Sequence, residues 1–280
     1  MTTGLSRSGE NRSPGLANVP HPPTGDVFAS YYGVPLIARG RVQGVLEVFQ
    51  RTPLNPDSDW VEYLNSLATQ AAIAIDNATL FSELQRSNLE LNLAYEATIE
   101  SWARMLEARG IEAGGHTRRV ADRVVTLAQS AGFAESELVH LRRGALLHDI
   151  GMLGVPEAIV LKATTYSSAD YQLVQRHPLY GFEILAPIAY LRPAIDIPYA
   201  HHERWDGTGY PRQLRGTLIP FPARLFAVVD VWDALVTERT YRPAWPLSRA
   251  RGYLREQAGQ LFDPEAVQLL LQSEHSETAW

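Results

Sequence analysis

Five of the eight histidines fall in a spaced series with aspartates: His116, the pair His148-Asp149, His177 directly before Pro178, the pair His201-His202, and then Asp230. Taken singly, each is ordinary, since a lone histidine on a helix is usually surface or satisfied core. Asp230 is harder to dismiss, because it interrupts the apolar run Phe226–Trp232. A carboxylate buried there costs on the order of several kcal/mol unless it is paired or metal-bound. His148-Asp149 likewise sits between the apolar stretches Gly144–Leu147 and Ile150–Leu153. Neighbours on a helix point about 100° apart, so two adjacent ligands seldom grip one ion but can serve two ions lying side by side. An aspartate carboxylate can bridge such ions, with imidazoles supplied by His148 and by the His201-His202 pair. Nitrogen and oxygen donors without thiolate suit iron, manganese and other borderline-to-hard metals. Two ions about 3.5–4 Å apart clamp a phosphate and activate water near neutral pH. The chemistry this series points to is phosphoester hydrolysis.

The rest of the composition is consistent with that reading. Cysteine is absent, which excludes a thiolate nucleophile, a zinc–thiolate site and a disulfide framework. The chain carries 25 Lys+Arg against 31 Asp+Glu, a net charge of −6. An acidic chain is a poor binder of DNA or RNA, whose affinity rests on cationic contacts to phosphates. An anionic substrate must therefore meet local cations, organic or metallic. No apolar run reaches the length of about 18 residues read as a membrane span, and the N-terminus has no signal-peptide pattern. The expectation is a cytoplasmic protein with no membrane partner.

Several elements must position the series. Residues 1–26 are rich in Gly, Pro, Ser and Asn and are expected to be disordered. Phe28–Gln50 holds two β-rich runs around the polar Ala38–Gly44, which predicts a hairpin. Asp59 is the expected cap of a long helix from Trp60 towards Met105. Its length and its apolar residues Leu64, Leu67, Ala71, Ile75, Leu84 and Leu93 predict a homodimer contact. Helices are then expected over His116–Gly132 and Leu138–Asp149, from a cap at Ser168, over Pro178–Ala186 and Leu191–His202, from Pro222, and from Asp263-Pro264. No stretch after Thr52 alternates as a strand does. The fold class is mainly α, an all-helical domain preceded by a small α+β segment and a long linker helix.

The order His116, His148-Asp149, His177, His201-His202 and Asp230, with Gly209-Tyr210-Pro211, resembles the HD-GYP subgroup of HD-domain phosphohydrolases over roughly Ala94 to Gln272. The segments ALLHDIGMLGVP, RHPLYGFEIL, HHERWDGTGYP and ARLFAVVDVWDALVTERTYR carry the likeness. The resemblance implies that His116, His148, Asp149, His177, His201, His202 and Asp230 ligate two or three divalent ions, iron or manganese, with His148 and Asp149 at the catalytic centre. Glu112 sits where a subset of the family has a further carboxylate ligand. The implied activity is hydrolysis of cyclic di-GMP to pGpG and onward to GMP. Tyr210 is then expected to touch substrate, and Arg239 and Arg242 to meet its phosphates, as guanidinium forks do. Upstream, the hairpin and Leu67–Asn88 resemble the C-terminal portion of a GAF domain, a small sensory module. The residues before them do not look like its remaining strands and helices. Either the start lies too far downstream or the segment is a remnant serving as a dimer scaffold. The expected divisions are 27–88 for this partial module, 89–105 for a helical linker and 106–280 for the HD-GYP domain.

One departure bears on activity. The family usually has lysine three residues after the HD pair, and here that residue is Met152. Methionine cannot donate to a phosphate or steady a leaving oxygen. Two readings therefore stand beside the cyclic di-GMP phosphodiesterase: a module that binds a cyclic dinucleotide without turning it over, and a phosphohydrolase for another nucleotide.

Overall fold

The computed structural model describes residues 28–109, 114–162, 164–238 and 243–277. The chain divides into two units, Met1–Leu93 and Ala94–Trp280.

In the first unit, strands β1 (Ser30–Ala38) and β2 (Arg41–Gln50) form an antiparallel hairpin, with Ser30 opposite Gln50 and Ala38 opposite Arg41. Arg39 and Gly40 both take positive φ, at 49° and 75°, the geometry that two-residue turns need to match strand twist. The turn is therefore shorter than the polar run Ala38–Gly44, most of which joins β2. Period-two alternation buries Tyr32, Val34, Leu36 and Ala38 on one face. They pack on Leu64, Ala68 and Ala72 of helix α1 (Ser58–Ala108). The cap of α1 is Asp57, whose Oδ1 accepts from the Trp60 N–H at 2.8 Å. The expected cap, Asp59, lies inside the first turn, because Asp57 is the residue with non-helical backbone ahead of it.

The second unit is helical around a core that includes Phe226 and Trp232, both fully buried. Its elements are α2 (His116–Ser130), α3 (Glu135–Leu146), a 3-10 turn (Ile150–Gly154), α4 (Glu157–Val160), α5 (Ser168–Val174) and α6 (His177–Leu185). A second 3-10 turn (Ala189–Ala194), α7 (Asp196–Ala200), a third 3-10 turn (Gly216–Leu218), α8 (Phe221–Val236), α9 (Leu247–Gln257) and α10 (Pro264–Glu277) complete it. Helix α2 packs on α3 and α8. The expected mainly helical fold class is observed. After the hairpin, the described residues contain only one isolated bridge, Ala258 to Phe262.

Some boundaries differ from the expectations. The expected Leu138–Asp149 helix begins at Glu135 and ends at Leu146, so His148 and Asp149 leave it in a tight turn. Ser167, not Ser168, caps α5: its Oγ accepts from the Asp170 N–H, and Asp170 returns the contact to the Ser167 N–H. The expected Leu191–His202 helix is split at Ile195 into a 3-10 turn and α7. Helix α9 was not anticipated, because it is polar overall and buries only Ala250 and Leu254. No helix of the described residues is long and apolar enough to cross a membrane.

Candidate metal centre

Short helices deliver the histidines to one place by their ends. His148 follows the last turn of α3, and its Nδ1 donates to the Ala145 carbonyl at 2.9 Å. His177 opens α6, where Pro178 occupies a first-turn position without an N–H to satisfy, and its Nδ1 donates to Val174 O at 2.7 Å. His201 closes α7 with Nδ1 3.1 Å from the carbonyls of both Ile197 and Pro198. In all three rings the backbone claims Nδ1 and leaves Nε2 facing inward.

Asp149 is the meeting point. Its Oδ1 lies 3.1 Å from His177 Nε2 and 3.5 Å from His201 Nε2, and its Oδ2 lies 3.7 Å from His148 Nε2. One ligand atom from each of Asp149, His177, His201 and His202 falls within 4.8 Å of all the others. His148 adjoins this group, its ring 5.3 Å from that of His201. Asp230 comes from α8, one helical turn beyond Phe226, whose ring touches both His148 and His201. Asp230 Oδ1 is 2.9 Å from His116 Nε2. Thus the structure gathers Asp149, His148, His177, His201 and His202 directly, and joins Asp230 to His116 on the α8 face that borders them. Glu112, Arg239 and Arg242 lie outside the described residues.

The donor chemistry fits a cation. A carbonyl oxygen only accepts, so Nδ1 of His177 and of His201 carries a proton, and Nε2 of each ring is turned towards the centre. Those two Nε2 atoms face each other at 3.1 Å, with a carboxylate oxygen beside both. Two ring nitrogens and a carboxylate oxygen this close need a cation among them, a proton or a metal ion. Burial lowers the affinity of His201 and His202 for a proton below the ordinary imidazole range, which keeps them in the neutral, coordinating form. Burial alone would raise the Asp149 carboxyl. The imidazoles of His148, His177 and His201 outweigh it and hold the group well below the usual carboxylate range.

A family model for the HD domain matches residues 100–266, more than half of the chain. The chain belongs to the HD-domain family. A GAF-domain model matches residues 11–76, so the HD domain follows a GAF segment, as the hairpin and helix suggested, and the match begins upstream of the hairpin, in residues read above as unlike that module. Among curated proteins, a 3'3'-cGAMP-specific phosphodiesterase of Vibrio cholerae is 35% identical over 71% of this chain and 37% of its own length. A cyclic di-GMP phosphodiesterase of the same organism is 32% identical over 71% of this chain and 44% of its own. A cyclic di-GMP phosphodiesterase of Thermotoga maritima is 36% identical over 60% and 46%. The chain thus spans less than half the length of these three relatives.

Several features of this HD domain were not read from its sequence. A Cβ on Gly151 would lie 1.8 Å from the His177 carbonyl oxygen and 2.5 Å from Gly181 N. Gly151 therefore lets the turn carrying Asp149 press against α6, which carries His177. A Cβ on Gly209 would strike the backbone of residues 202–204 at 2.3–2.6 Å. That close fit lays Tyr210 over the histidines, stacked on His202 at 4.7 Å between ring centroids. Glu203 is buried, and its two oxygens accept from Arg212 N at 2.7 Å and Leu214 N at 2.9 Å, pinning the far side of the Gly-Tyr-Pro loop. Asp233 was also missed, although its spacing of three from Asp230 places it on the same helix face.

Proposed function

We infer that the HD domain is a metal-dependent phosphodiesterase that hydrolyses a cyclic dinucleotide, cyclic di-GMP, to pGpG and/or GMP. The observation that carries this reading is the convergence of Asp149 with the imidazoles of His177, His201 and His202. Its donor set suits iron or manganese. His116, His148, Asp149, His177, His201, His202 and Asp230 would hold two or three ions, with Glu112 as a further ligand for a third. When bound, such ions supply polarisation of a phosphate and activation of water.

The chain's own residues do the rest. The carbonyls of Ala145, Val174, Ile197 and Pro198 hold the imidazoles with Nε2 inward. Tyr210, stacked on His202, offers a ring at the edge of the centre for a nucleobase or sugar. Arg239 and Arg242 are assigned to the substrate phosphates on the strength of the family motif. Within this reading residues 106–280 carry the chemistry, 27–88 form the partial GAF module and 89–105 connect them. Tyr63, Phe81, Leu84 and Leu91 are exposed on α1 at near-heptad spacing, which supports a homodimer through that helix. The cytoplasm, where nucleotide second messengers are turned over, is the assigned location.

Similarity to cyclic di-GMP phosphodiesterases supports this choice of substrate. The similarity to a 3'3'-cGAMP-specific enzyme names the competitor. Metal-loaded protein incubated separately with both dinucleotides and resolved by chromatography tests it. Linear pGpG or GMP from cyclic di-GMP is expected. Turnover of 3'3'-cGAMP alone would reassign the substrate, and turnover of neither would favour a nucleotide-binding module. Met152 is the observation that keeps the binding module in view, since its buried side chain brings no cation to the turn after Asp149.

A further inference from the structure

The histidines of the centre share one habit and differ in one respect. His148, His177 and His201 each anchor Nδ1 on a backbone carbonyl, which fixes the tautomer but adds no charge. His116 anchors Nδ1 on a carboxylate instead, Asp233 Oδ2 at 2.7 Å, while its Nε2 faces Asp230. Asp233 is itself buried and doubly held, because Arg119 Nε and Nη2 donate to its two oxygens at 2.9 Å each. Asp230 and Asp233 lie three residues apart on α8, and His116 and Arg119 three apart on α2. Two helices therefore meet through a four-residue lattice in which each member is fixed by another. A buried carboxylate at this place carries a burial cost that only strong partners offset, and both partners are present.

We propose that Asp233 is a positioning residue of the metal centre, setting the tautomer of His116 so that Nε2 coordinates and raising the ligand strength of that ring. This rests on the metal-centre reading above. A carboxylate behind a ligating imidazole makes the ring more basic and fixes its direction, and removing such a partner typically weakens metal binding about 10–100-fold. Arg119 sets the carboxylate in turn, since a bidentate guanidinium leaves it one orientation. The effect should be local. The ion ligated by His116 and Asp230 depends on Asp233, whereas an ion among Asp149, His177, His201 and His202 has its own backbone anchors.

The test titrates metal-free wild type, Asp233→Ala and Asp233→Asn with Mn²⁺ alone by calorimetry, beside thermal unfolding of each metal-free form. In Asp233→Ala one class of site should weaken about 10–100-fold while the other keeps its wild-type affinity. Asp233→Asn retains an acceptor for Nδ1–H and the side-chain shape, so it should fold even if the alanine variant does not, and lose only a few-fold. A wild-type isotherm in Asp233→Ala, or in Asp233→Asn where only that variant folds, would overturn the proposal. Lowered melting without a change in the isotherm would mark Asp233 as merely structural and overturn it equally. No Mn²⁺ binding by wild type would instead defeat the metal-centre reading itself.

Discussion

Gly151→Ala isolates the geometry of the centre without touching a ligand. Gly151 has no left-handed φ, so the backbone conformation itself would accept alanine. The obstacle is space, because the new Cβ would lie 1.8 Å from His177 O, 2.8 Å from His177 C and 2.5 Å from Gly181 N. A carbon–oxygen contact settles near about 3.3 Å, so the turn must withdraw from α6 by about 1.5 Å. Both obstacles are backbone, and neither can rotate away. Asp149 lies two residues before Gly151, and its Oδ1 reaches His177 Nε2 at 3.1 Å. The same withdrawal takes that pair well beyond contact. A misplacement of about 1 Å at a reacting centre costs about 10² in rate, and overpacking of this kind costs about 1–3 kcal/mol in stability. The variant should therefore melt lower, bind less metal and hydrolyse cyclic di-GMP at about 1% of the wild-type rate or less. Metal counting, thermal unfolding and steady-state turnover on the same preparation check all three. Full metal content with full turnover would refute the claim that the approach of Gly151 to α6 builds the site.

Two further variants separate the loop from the ligands. Glu203→Gln removes the charge that holds Arg212 N and Leu214 N, and bonds to charged groups contribute about 1.5–3 kcal/mol. Melting should fall accordingly and KM should rise as Tyr210 loosens, with metal content intact; an unchanged KM would detach the loop from substrate. Met152→Lys restores a cation beside the centre, and a preorganised donor of this kind is worth up to about 10²–10³ in rate. Steady-state kinetics at equal metal loading should show kcat rising more than KM falls, at some loss of stability because position 152 is buried. A wild type as fast as the variant would show the lysine to be dispensable here.

The candidate ligands were legible in the sequence because their residue types are conspicuous where they stand. Histidine and aspartate amid apolar runs need a partner, and their order resembles a known family. The supporting residues were not legible for a physical reason: each acts through a tertiary approach. Gly151 reads as a helix stop until α6 is seen against it, and Asp233 reads as helix surface until Arg119 and His116 arrive from α2. Glu203 looks like a bystander in a charged loop until its oxygens are seen to close that loop. Cap signals were accurate to one or two residues, as with Ser167 in place of Ser168 and Asp57 in place of Asp59, since neighbouring serines or aspartates are equally good caps and only backbone geometry chooses. The turn at His148-Asp149 was read as helix because its flanks are apolar. The break there is what turns two neighbouring side chains towards one centre.

The central claim is that Asp149 and the surrounding imidazoles hold the metal that does the chemistry. Its most direct test is the metal content and cyclic di-GMP turnover of wild type and Asp149→Ala, measured on the same samples. Wild type should carry two or three ions per chain, at least the pair that paired-ion phosphoester chemistry requires. The alanine variant should lose metal and turnover together, because the carboxylate that faces three imidazoles is gone. Unchanged metal stoichiometry in Asp149→Ala, or turnover surviving its loss, would contradict the account.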